Sequence, residues 1–493
     1  MARAPSGALG VFGPVVCIAN GVTMPERARR PIAVAPNLPV NSPMQQVPEI
    51  GPVAANAPTR GDAARHDETP ASHPPSATST AVAAAGCVAL LAAIALVVFL
   101  RPFAHDVVPS AILVIALTAV AIFAADLGWQ RVYRRPSTGL DFALDDPSWS
   151  RTLVKYVGLL ASVGLVAAAY WLLPEYRNRR YDDYWTALYI VIGPWLILAV
   201  PYFFAVDRKM REPRDGYWQM GALVLLRLRD VDRRKLAQHL LGWAIKAYFM
   251  AIMWGFLCGD LSWAFLYDFE KLDNFQATYD FLWRLLYMVD VGLASLGYVM
   301  SFRITDTHIR SSESTMVGWI VTLACYEPFW SAAVYPFLRY DTGYPWGAWL
   351  SYRPVLYVLW GSGILVLTAI YAWATVMFGA RFSNLTNRGV ITSGPYRYTK
   401  HPAYLAKNIT WWMISVPFLP LNNAWDTLPR CAMLLGVNLI YFMRAKTEEW
   451  HLSRDPDYVR YALWMEAHGL LRFMRRLPLL GRIGFRRPER ASA

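Results

Sequence analysis

The sequence predicts an all-α, polytopic membrane helix bundle with about ten transmembrane helices and a disordered N-terminal tail. Long apolar runs alternate with short arginine-rich stretches along most of the 493 residues. Only 17% of the residues are charged, whereas an ordinary soluble domain has about 25%. The first 79 residues are instead rich in Pro, Ala, Ser and Thr, and they carry too little apolar surface to offset their chain entropy.

The apolar runs give the candidate spans, because a helix needs roughly 20 apolar residues to cross a bilayer. They lie at 80–100, 107–126, 153–173, 185–206, 239–259, 281–302, 316–337, 355–378, 408–421 and 427–444. The ninth run is short, and Trp411 and Trp412 are expected at the membrane interface there. We therefore divide the chain into a disordered N-terminal region, an N-terminal membrane-spanning region, a second membrane domain and a basic tail, at 1–79, 80–354, 355–475 and 476–493.

The basic residues predict how these spans are oriented. Loops 207–238 and 379–407 and the tail after residue 444 are rich in arginine and lysine. Cytoplasmic segments of membrane proteins carry an excess of these residues, so all three are predicted to be cytoplasmic. Ten spans then place both termini in the cytoplasm, and we expect the cytoplasmic (inner) membrane of a bacterium. Membrane orientation and anionic lipids explain the net charge of +13 without nucleic-acid binding.

The cysteines and histidines argue against two kinds of site. The five cysteines are isolated, and most lie in apolar runs, where a thiol behaves as a small apolar group. The eight histidines form neither an H-E-x-x-H motif nor a cluster. We therefore predict no disulfide framework and no metal site.

The first motif that could carry chemistry is Ser393–Tyr404, with the sequence SGPYRYTKHPAY. A residue before proline avoids the α region and proline favours the first helical position, so His401 should end an extended segment and Pro402 should begin a helix. The N–H groups at this helix start, beside Arg397 and Lys400, form a potential anion site, and the tyrosine rings could face a heterocycle. The same pattern is equally typical of a basic, aromatic loop that anchors a helix at the membrane interface.

The second motif is Arg444–Trp450, with the sequence RAKTEEW. Arg444 and Glu448 are four residues apart and share one helix face, whereas Glu449 points elsewhere. Paired acids at the end of a membrane helix could bind hydroxyls, an amine or a sulfonium, although a solvated salt bridge is the simpler interpretation of this motif alone. The ninth and tenth spans form a predicted hairpin, which would bring both motifs to one pocket at the cytoplasmic face.

Together the motifs resemble those of the isoprenylcysteine carboxyl methyltransferases and the related phospholipid methyltransferases. Residues 394–404 are similar to the family pattern G-x-Y-R-Y-x-R-H-P-x-Y. The R-x-x-x-E-E element and the Y-x-x-Y element that follows it are matched by Arg444, Glu448, Glu449, Tyr458 and Tyr461. The resemblance covers about residues 355–475, so the second membrane domain is predicted to be methyltransferase-like. Two positions depart from the pattern, with Lys400 in place of arginine and Ala406 in place of glycine.

The resemblance implies an S-adenosylmethionine site at the cytoplasmic face and a lipophilic substrate, an isoprenylcysteine carboxylate or a lipid, that arrives from the bilayer. The cofactor-binding residues that it implies are Gly394, Tyr396, Tyr398, His401, Pro402, Tyr404, Glu448 and Glu449. The catalytic residues are predicted to be Arg444 and Glu448, with Arg444 as the candidate cation for an acceptor carboxylate. Lys400 keeps the charge of the usual arginine but loses its bidentate geometry.

Two other classes of protein stay open. Integral membrane sterol reductases have a similar number of spans and a C-terminal H-P-x-Y motif, and they bind NADPH. The pair Ala406-Lys407, where those enzymes usually have Gly-Asp, and the two adjacent glutamates favour the methyltransferase. A transporter or non-catalytic membrane protein is the third class, because Asp290 and Glu327 lie half-way along predicted spans. Lys246 and Arg284 are possible partners for these two acids.

Overall fold

The computed structural model describes residues 72–473 and 484–485 and confirms the predicted helical membrane bundle. The described α-helices are α1 Thr80–Ala95, α2 Val107–Phe123, α3 Trp149–Leu172, α4 Asp182–Asp207, α5 Gly216–Val224, α6 Arg233–Leu266, α7 Phe275–Val299, α8 Met316–Leu323, α9 Trp346–Leu350, α10 Pro354–Phe378, α11 Pro402–Ser415, α12 Thr427–Leu452 and α13 Pro456–His468. Two short strands, β1 Ser311–Ser312 and β2 Thr386–Asn387, pair antiparallel, with Ser311 opposite Asn387.

Seven helical segments within the described residues are long and apolar enough to cross a membrane. They are Thr80–Leu100, Val107–Trp129, Trp149–Leu172, Arg179–Asp207, Arg233–Leu266, Phe275–Val299 and Pro354–Arg381. These segments match the first six predicted spans and the eighth. The seventh, ninth and tenth predicted spans differ, so the number of long apolar helices is smaller than predicted.

The seventh predicted span, 316–337, is a broken segment and not one helix. α8 ends at Leu323, before Pro328, whose ring and missing N–H do not fit a continuous helix. Glu327 accepts a hydrogen bond from Ser331 Oγ at 2.5 Å, and one π-helical turn follows at Trp330–Val334. Helical hydrogen bonding is therefore interrupted half-way along this run.

This broken segment still crosses the bundle, antiparallel to α12. Just before its start, Ser311 Oγ lies 3.3 Å from Nε2 of His451, near the C-terminal end of α12. Further along, Leu338 packs against Gly436 and Gly343 lies against Arg430, near the N-terminal end of α12. The segment thus passes from one end of the bundle to the other without being a long helix.

The predicted hairpin of the ninth and tenth spans is formed by α11, with 14 residues, and α12, with 26 residues. Together with the broken segment, these two helices bring the seven candidate spans to ten passes through the bundle. Because the number of passes is even, the two ends of the described chain lie at the same end of the bundle. Thr78, before α1, donates to the carbonyl of Phe378 at the end of α10 at 3.1 Å. We call this end of the bundle, which carries loop 379–401 and the C-terminal end of α12, the motif end.

Residues 1–71 of the predicted disordered region, 1–79, lie outside the described residues. The predicted basic tail, 476–493, also lies outside them, except for residues 484–485. Residues 72–79 are described, and they run along the motif loop. The N–H of Ala77 donates to the carbonyl of Val390 at 2.8 Å. Oγ1 of Thr392 donates to the carbonyl of Pro74 at 3.0 Å. Residues 72–79, within the region predicted to be disordered, therefore pack against the protein.

The predicted basic partners of Asp290 were wrong. Asp290 on α7 is buried and accepts hydrogen bonds from Tyr371, at 2.6 Å, and from Thr375, both on α10. Arg284 pairs instead with Asp260 on α6, with Nε and Oδ1 3.3 Å apart. Neutral hydroxyl donors, rather than a basic side chain, therefore satisfy Asp290.

Candidate active site

The loop between α10 and α11 carries the first motif, and a buried arginine fixes its position. Arg388 is 4% exposed and donates to the backbone carbonyls of Gly297 and Thr307, each at 2.6 Å. Burial, together with the nearby charge of Arg381, lowers the pKa of Arg388 to about 9. The guanidinium ties the loop to the end of α7 and to the connection that follows it.

Gly394 serves the packing of the loop. Its φ of 61° lies in the left-handed region, which residues with a β-carbon rarely adopt. A β-carbon here would come within 2.5 Å of Cγ of Met377 on α10. Glycine therefore lets the motif loop approach α10 closely.

The Y-x-x-Y element clamps the same loop from α13. Oη of Tyr461 donates to the carbonyl of Tyr396 at 2.7 Å. Tyr461 and Tyr458 are both buried, at 2% and 4% exposure. Burial raises the pKa of both hydroxyls above the ordinary value of a tyrosine, so they stay protonated and can donate. Of the two tyrosines matched to the family pattern, Tyr461 thus holds the motif loop by a hydrogen bond, whereas Tyr458 packs beside it in the same apolar cluster.

The helix α11 begins at Pro402 as predicted, but the segment before it is not extended throughout, because Gly394–Arg397 form a 3₁₀ turn. Pro402 occupies the first turn of the helix, and His401, with φ −130° and ψ 61°, precedes it outside the helical region. The ring of His401 stacks on that of Tyr404, with 5.5 Å between centroids and 12° between planes. Pro402 itself is buried and supports the turn.

Glu449 is held by three basic side chains. Its Oε1 lies 2.7 Å from Nζ of Lys400 and 3.3 Å from Nε2 of His401, and its Oε2 lies 2.7 Å from Nζ of Lys446. Burial by itself would raise the pKa of this carboxyl, which lies beyond the predicted tenth span. The hydrogen bond from His401 and the charges of Lys400 and Lys446 outweigh burial and hold the pKa well below its usual value. Lys400 also pairs with Glu466 of α13 at 2.7 Å, so these ions join loop, α12 and α13.

Arg444 and Glu448 lie on the other face of α12, as their spacing predicts. Arg444 is 6% exposed, and its guanidinium carbon lies 5.3, 5.2 and 5.9 Å from the ring centroids of Tyr326, Tyr404 and Tyr441. Its Nη2 donates to Oδ1 of Asn384 at 2.5 Å. Tyr404 also donates to Oε2 of Glu448 at 2.7 Å. A cation, a carboxylate and aromatic faces therefore meet at one place.

These side chains line one cavity at the motif end, with a volume of about 110 Å³. Of the predicted site residues, the cavity is lined by Tyr396, His401, Tyr404, Arg444 and Glu448. The other predicted residues lie in the surrounding structure and are Gly394, Tyr398, Pro402 and Glu449. Tyr398 is 61% exposed and faces away from the protein. Both motifs thus contribute to the cavity, each through part of its residues.

One wall of the cavity comes from outside the predicted methyltransferase-like domain. Three residues of this region line the cavity: Thr322 and Tyr326 lie in the broken segment, and Glu313 lies just before it. Oη of Tyr326 also accepts a hydrogen bond from Nδ2 of Asn384 at 3.1 Å. The sequence carried no signal for this wall, because these residues are far from both motifs and lie in or beside an apolar run.

Further lining residues were also missed within the second membrane domain. They include Tyr371, Thr375, Asn384, Lys407, Tyr441, Thr447 and His451. Helical spacing could have found Tyr441 and Thr447, which lie on the same stretch of α12 as Arg444. Asn384 and Lys407 fall outside both quoted motifs.

The donor set suits a ligand with the chemical parts of S-adenosylmethionine. The carboxylate of Glu448 can balance a positive sulfonium or hold ribose hydroxyls. The rings of Tyr396 and Tyr404 can face a heterocycle. The N-terminus of α11 lines the cavity through Ala403 and Tyr404, and a helix N-terminus favours an anionic group such as a carboxylate. The residues present therefore fit this cofactor.

Comparison with known proteins gives one result for this region. No curated protein and no solved structure matches the chain. Residues 356–454, about a fifth of the chain, match the isoprenylcysteine carboxyl methyltransferase (ICMT) family. The matched residues contain both motifs, from α10 to the end of α12. The C-terminal part of this membrane protein is therefore similar to the isoprenylcysteine carboxyl methyltransferase family.

Proposed function

We propose that this protein is an integral membrane methyltransferase that uses S-adenosylmethionine to methylate a lipophilic acceptor. The observation that carries this proposal is the meeting of the two family motifs at one cavity at the motif end. His401 and Tyr404 come from the first motif, and Arg444 and Glu448 come from the second. The family match over residues 356–454 supports the reaction type.

The cofactor, when bound, supplies a methyl group activated by a sulfonium. Glu448 would face its positive charge or its ribose, and the hydrogen bond from Tyr404 fixes the position of the carboxylate. Glu449 would act indirectly, since its ion pairs with Lys400 and His401 hold the loop in place. This separates the two adjacent glutamates into a ligand-binding and a positioning residue.

The acceptor needs a different set of contacts. A carboxylate acceptor is already ionised at neutral pH and needs no general base. It needs a cation that holds it in line with the reacting methyl, and such positioning can supply much of the reduction in the barrier. Arg444 lines the cavity and is held by three tyrosine rings and by Asn384, so it is the candidate for this cation.

The first test is cofactor binding by the purified full-length protein, measured by titration calorimetry with S-adenosylmethionine and, separately, with NADPH. We expect binding of S-adenosylmethionine only. Glu448→Gln and His401→Ala should each weaken it by roughly 1–3 kcal/mol, because each removes a charged or polar contact. Glu270→Gln, on an exposed turn at the opposite end of the bundle, is the control and should bind normally.

Two results would contradict the proposal. Unchanged affinity in both Glu448→Gln and His401→Ala would remove the assignment of these residues. Binding of NADPH without S-adenosylmethionine would favour the reductase class that the sequence left open.

A further inference from the structure

A short segment directly before α1 lies on the motif loop, and we call its residues 73–78 the strap. The strap lies outside the family match at residues 356–454, and 316 residues separate Ser76 from its contact Thr392 along the chain. Its two adjacent prolines, Pro74 and Pro75, each fix φ at about −65°. The segment therefore loses less conformational freedom when it is held in place.

The backbone of the strap is hydrogen-bonded to the motif loop. The N–H of Ala77 donates to the carbonyl of Val390 at 2.8 Å, and Oγ1 of Thr392 donates to the carbonyl of Pro74 at 3.0 Å. Gly389, with a φ of 105°, lets the two segments approach, because a β-carbon on it would come within 2.7 Å of Cβ of Ala77. The strap thus lies along the loop much as an added edge strand lies along a sheet.

Ser76 supplies the central side-chain contact of the strap. Its Oγ accepts a hydrogen bond from the N–H of Thr392 at 3.2 Å and another from Oγ of Ser393 at 3.1 Å. Thr392 is 1% exposed, so loss of the Ser76 hydroxyl would leave a buried N–H without this acceptor. Ser393 is followed directly by the 3₁₀ turn that carries Tyr396 to the cavity. The strap therefore holds the loop just before its cavity-lining part.

The other side of the strap is tied to the N-terminal membrane-spanning region. Arg135, in the connection between α2 and α3, donates from Nη1 to the carbonyl of Ala77 at 2.6 Å. Arg381 donates to Oγ1 of Thr78 at 3.2 Å and to the carbonyl of Thr305, in the connection after α7, at 3.1 Å. The strap thus links the motif loop to helices that lie outside the family match.

The start of α1 has a cap of its own and does not need Ser76. Oγ of Ser79 accepts a hydrogen bond from the N–H of Val82 at 3.3 Å, as expected of a serine at this position. The hydrogen bonds of Ser76 go instead to the motif loop. Ser76 is therefore placed to act on the loop and not to begin the helix.

We propose that the strap is a positioning element of the cofactor site, in which Ser76 holds the motif loop in the conformation that binds S-adenosylmethionine. The effect on the cofactor rests on the proposed methyltransferase function, whereas the hold on the loop does not. When only a fraction of the molecules has the binding-competent conformation, the apparent affinity falls by that fraction. Release of the strap should therefore weaken cofactor binding without removing any group that contacts the cofactor. The N-terminal region would then take part in cofactor binding by the C-terminal domain.

The test measures loop mobility and cofactor binding separately, on full-length protein in detergent. Amide hydrogen–deuterium exchange of peptides that span residues 389–400 reports on the loop. Titration calorimetry gives the S-adenosylmethionine affinity, and thermal unfolding gives the overall stability. The variants are Ser76→Ala, which removes the hydroxyl, and Ser76→Thr, which keeps it. Ser72→Ala is the matched control, because Ser72 is an exposed serine directly before the strap.

We expect Ser76→Ala to exchange faster over residues 389–400 and to bind S-adenosylmethionine about fivefold more weakly, the factor that matches one ordinary hydrogen bond. Its midpoint of thermal unfolding should stay close to that of the unmodified protein. Ser76→Thr should restore both slow exchange and cofactor affinity, and Ser72→Ala should behave like the unmodified protein.

Unchanged exchange in Ser76→Ala would overturn the proposal, because the loop would then not depend on the strap. Faster exchange with unchanged S-adenosylmethionine affinity would also overturn it, since the held conformation would not matter to the cofactor. Equal losses in Ser76→Ala and Ser76→Thr would exclude the hydroxyl as the positioning group. Should the unmodified protein not bind S-adenosylmethionine, the methyltransferase function fails, and the exchange rates alone decide whether the strap holds the loop.

Discussion

At the scale of single residues, the neighbours of Arg444 define what it can do. Three tyrosine rings and one amide oxygen surround its guanidinium, so the side chain is held in place without a carboxylate that would neutralise it. Such a cation keeps its full charge for a ligand. The stacking of a planar guanidinium on aromatic rings is a property that lysine does not reproduce.

We therefore expect Arg444→Lys to bind S-adenosylmethionine normally and to lose most of its turnover. Lysine lacks the planar guanidinium of arginine, so the acceptor would no longer be held in the reactive position. The measurement is transfer of a labelled methyl group to acidic lipids. Lys446→Arg, two residues along the same helix and outside the cavity lining, should keep its turnover. Normal turnover by Arg444→Lys would exclude the arginine as the acceptor's cation.

The pH dependence of the reaction distinguishes carboxylate from amine acceptors. A carboxylate titrates near pH 4, so it is already the nucleophile at neutral pH. An amine must lose a proton first, and the rate would then rise with pH through its pKa. We expect a flat profile of turnover between about pH 6 and 8. A rate that rises steadily across this interval would indicate an amine acceptor.

Glu449 makes a prediction about stability. Although burial acts in the opposite direction, the hydrogen bond from His401 and the charges of Lys400 and Lys446 keep its pKa lower in the folded protein than the usual value of 4.5. Folding is therefore favoured by these pairs above about pH 4.5, and this stabilisation is lost as the pH falls below that value, because the unfolded chain takes up the proton first. Glu449→Gln should destabilise the protein by about 3 kcal/mol at pH 7.

Thermal unfolding in detergent at several pH values checks this expectation. The difference between Glu449→Gln and the unmodified protein should shrink as the pH falls below about 4.5. Asp457→Asn removes an exposed ion pair with Arg460 on α13 and should change stability by less than about 1 kcal/mol. Equal effects of the two substitutions would mean that Glu449 is no more important than a surface ion pair.

At the scale of elements, local rules of helix formation predicted the site better than the motif pattern did. Proline at the start of α11 and the four-residue spacing in α12 correctly predicted how His401, Arg444 and Glu448 are presented. The pattern alone could not separate residues that line a cavity from those that hold the loop, such as Gly394 and Glu449. That distinction depends on contacts with α10 and α13, which are distant in sequence.

Gly394 tests the contact between the motif loop and α10. Gly394→Ala should destabilise the protein by about 1–3 kcal/mol, because it adds a strained left-handed residue and a clash with Met377. Cofactor affinity should fall as well, since the loop carries His401. Gly164→Ala, in α3, is the control, because a β-carbon there meets no atom within 4 Å. A Gly394→Ala protein as stable as the unmodified one would show that the loop does not need this close approach.

At the scale of the whole molecule, hydropathy predicted where the chain crosses the bundle but not how each pass is built. Six early spans and α10 are continuous apolar helices, as expected. The run 316–337 is also largely apolar, yet its middle is broken before Pro328, and residues from this segment form a wall of the cavity. A sliding average of hydropathy cannot detect such a break. This wall of the cavity could therefore not be predicted from the sequence, although both motifs were found.

The orientation of the ten passes gives the last prediction. The turn between α11 and α12, with Asn423 at its tip, lies at the end of the bundle opposite the motif end. The positive-inside tendency predicts that the basic motif end faces the cytoplasm. In a protein whose native cysteines are replaced, Asn423→Cys should therefore react with an impermeant maleimide from outside the cell. Arg454→Cys, an exposed position just after α12, should react only after the membrane is opened. Labelling of position 423 from the cytoplasmic side alone would invert the orientation, and a cofactor supplied from the cytoplasm could then not reach the cavity.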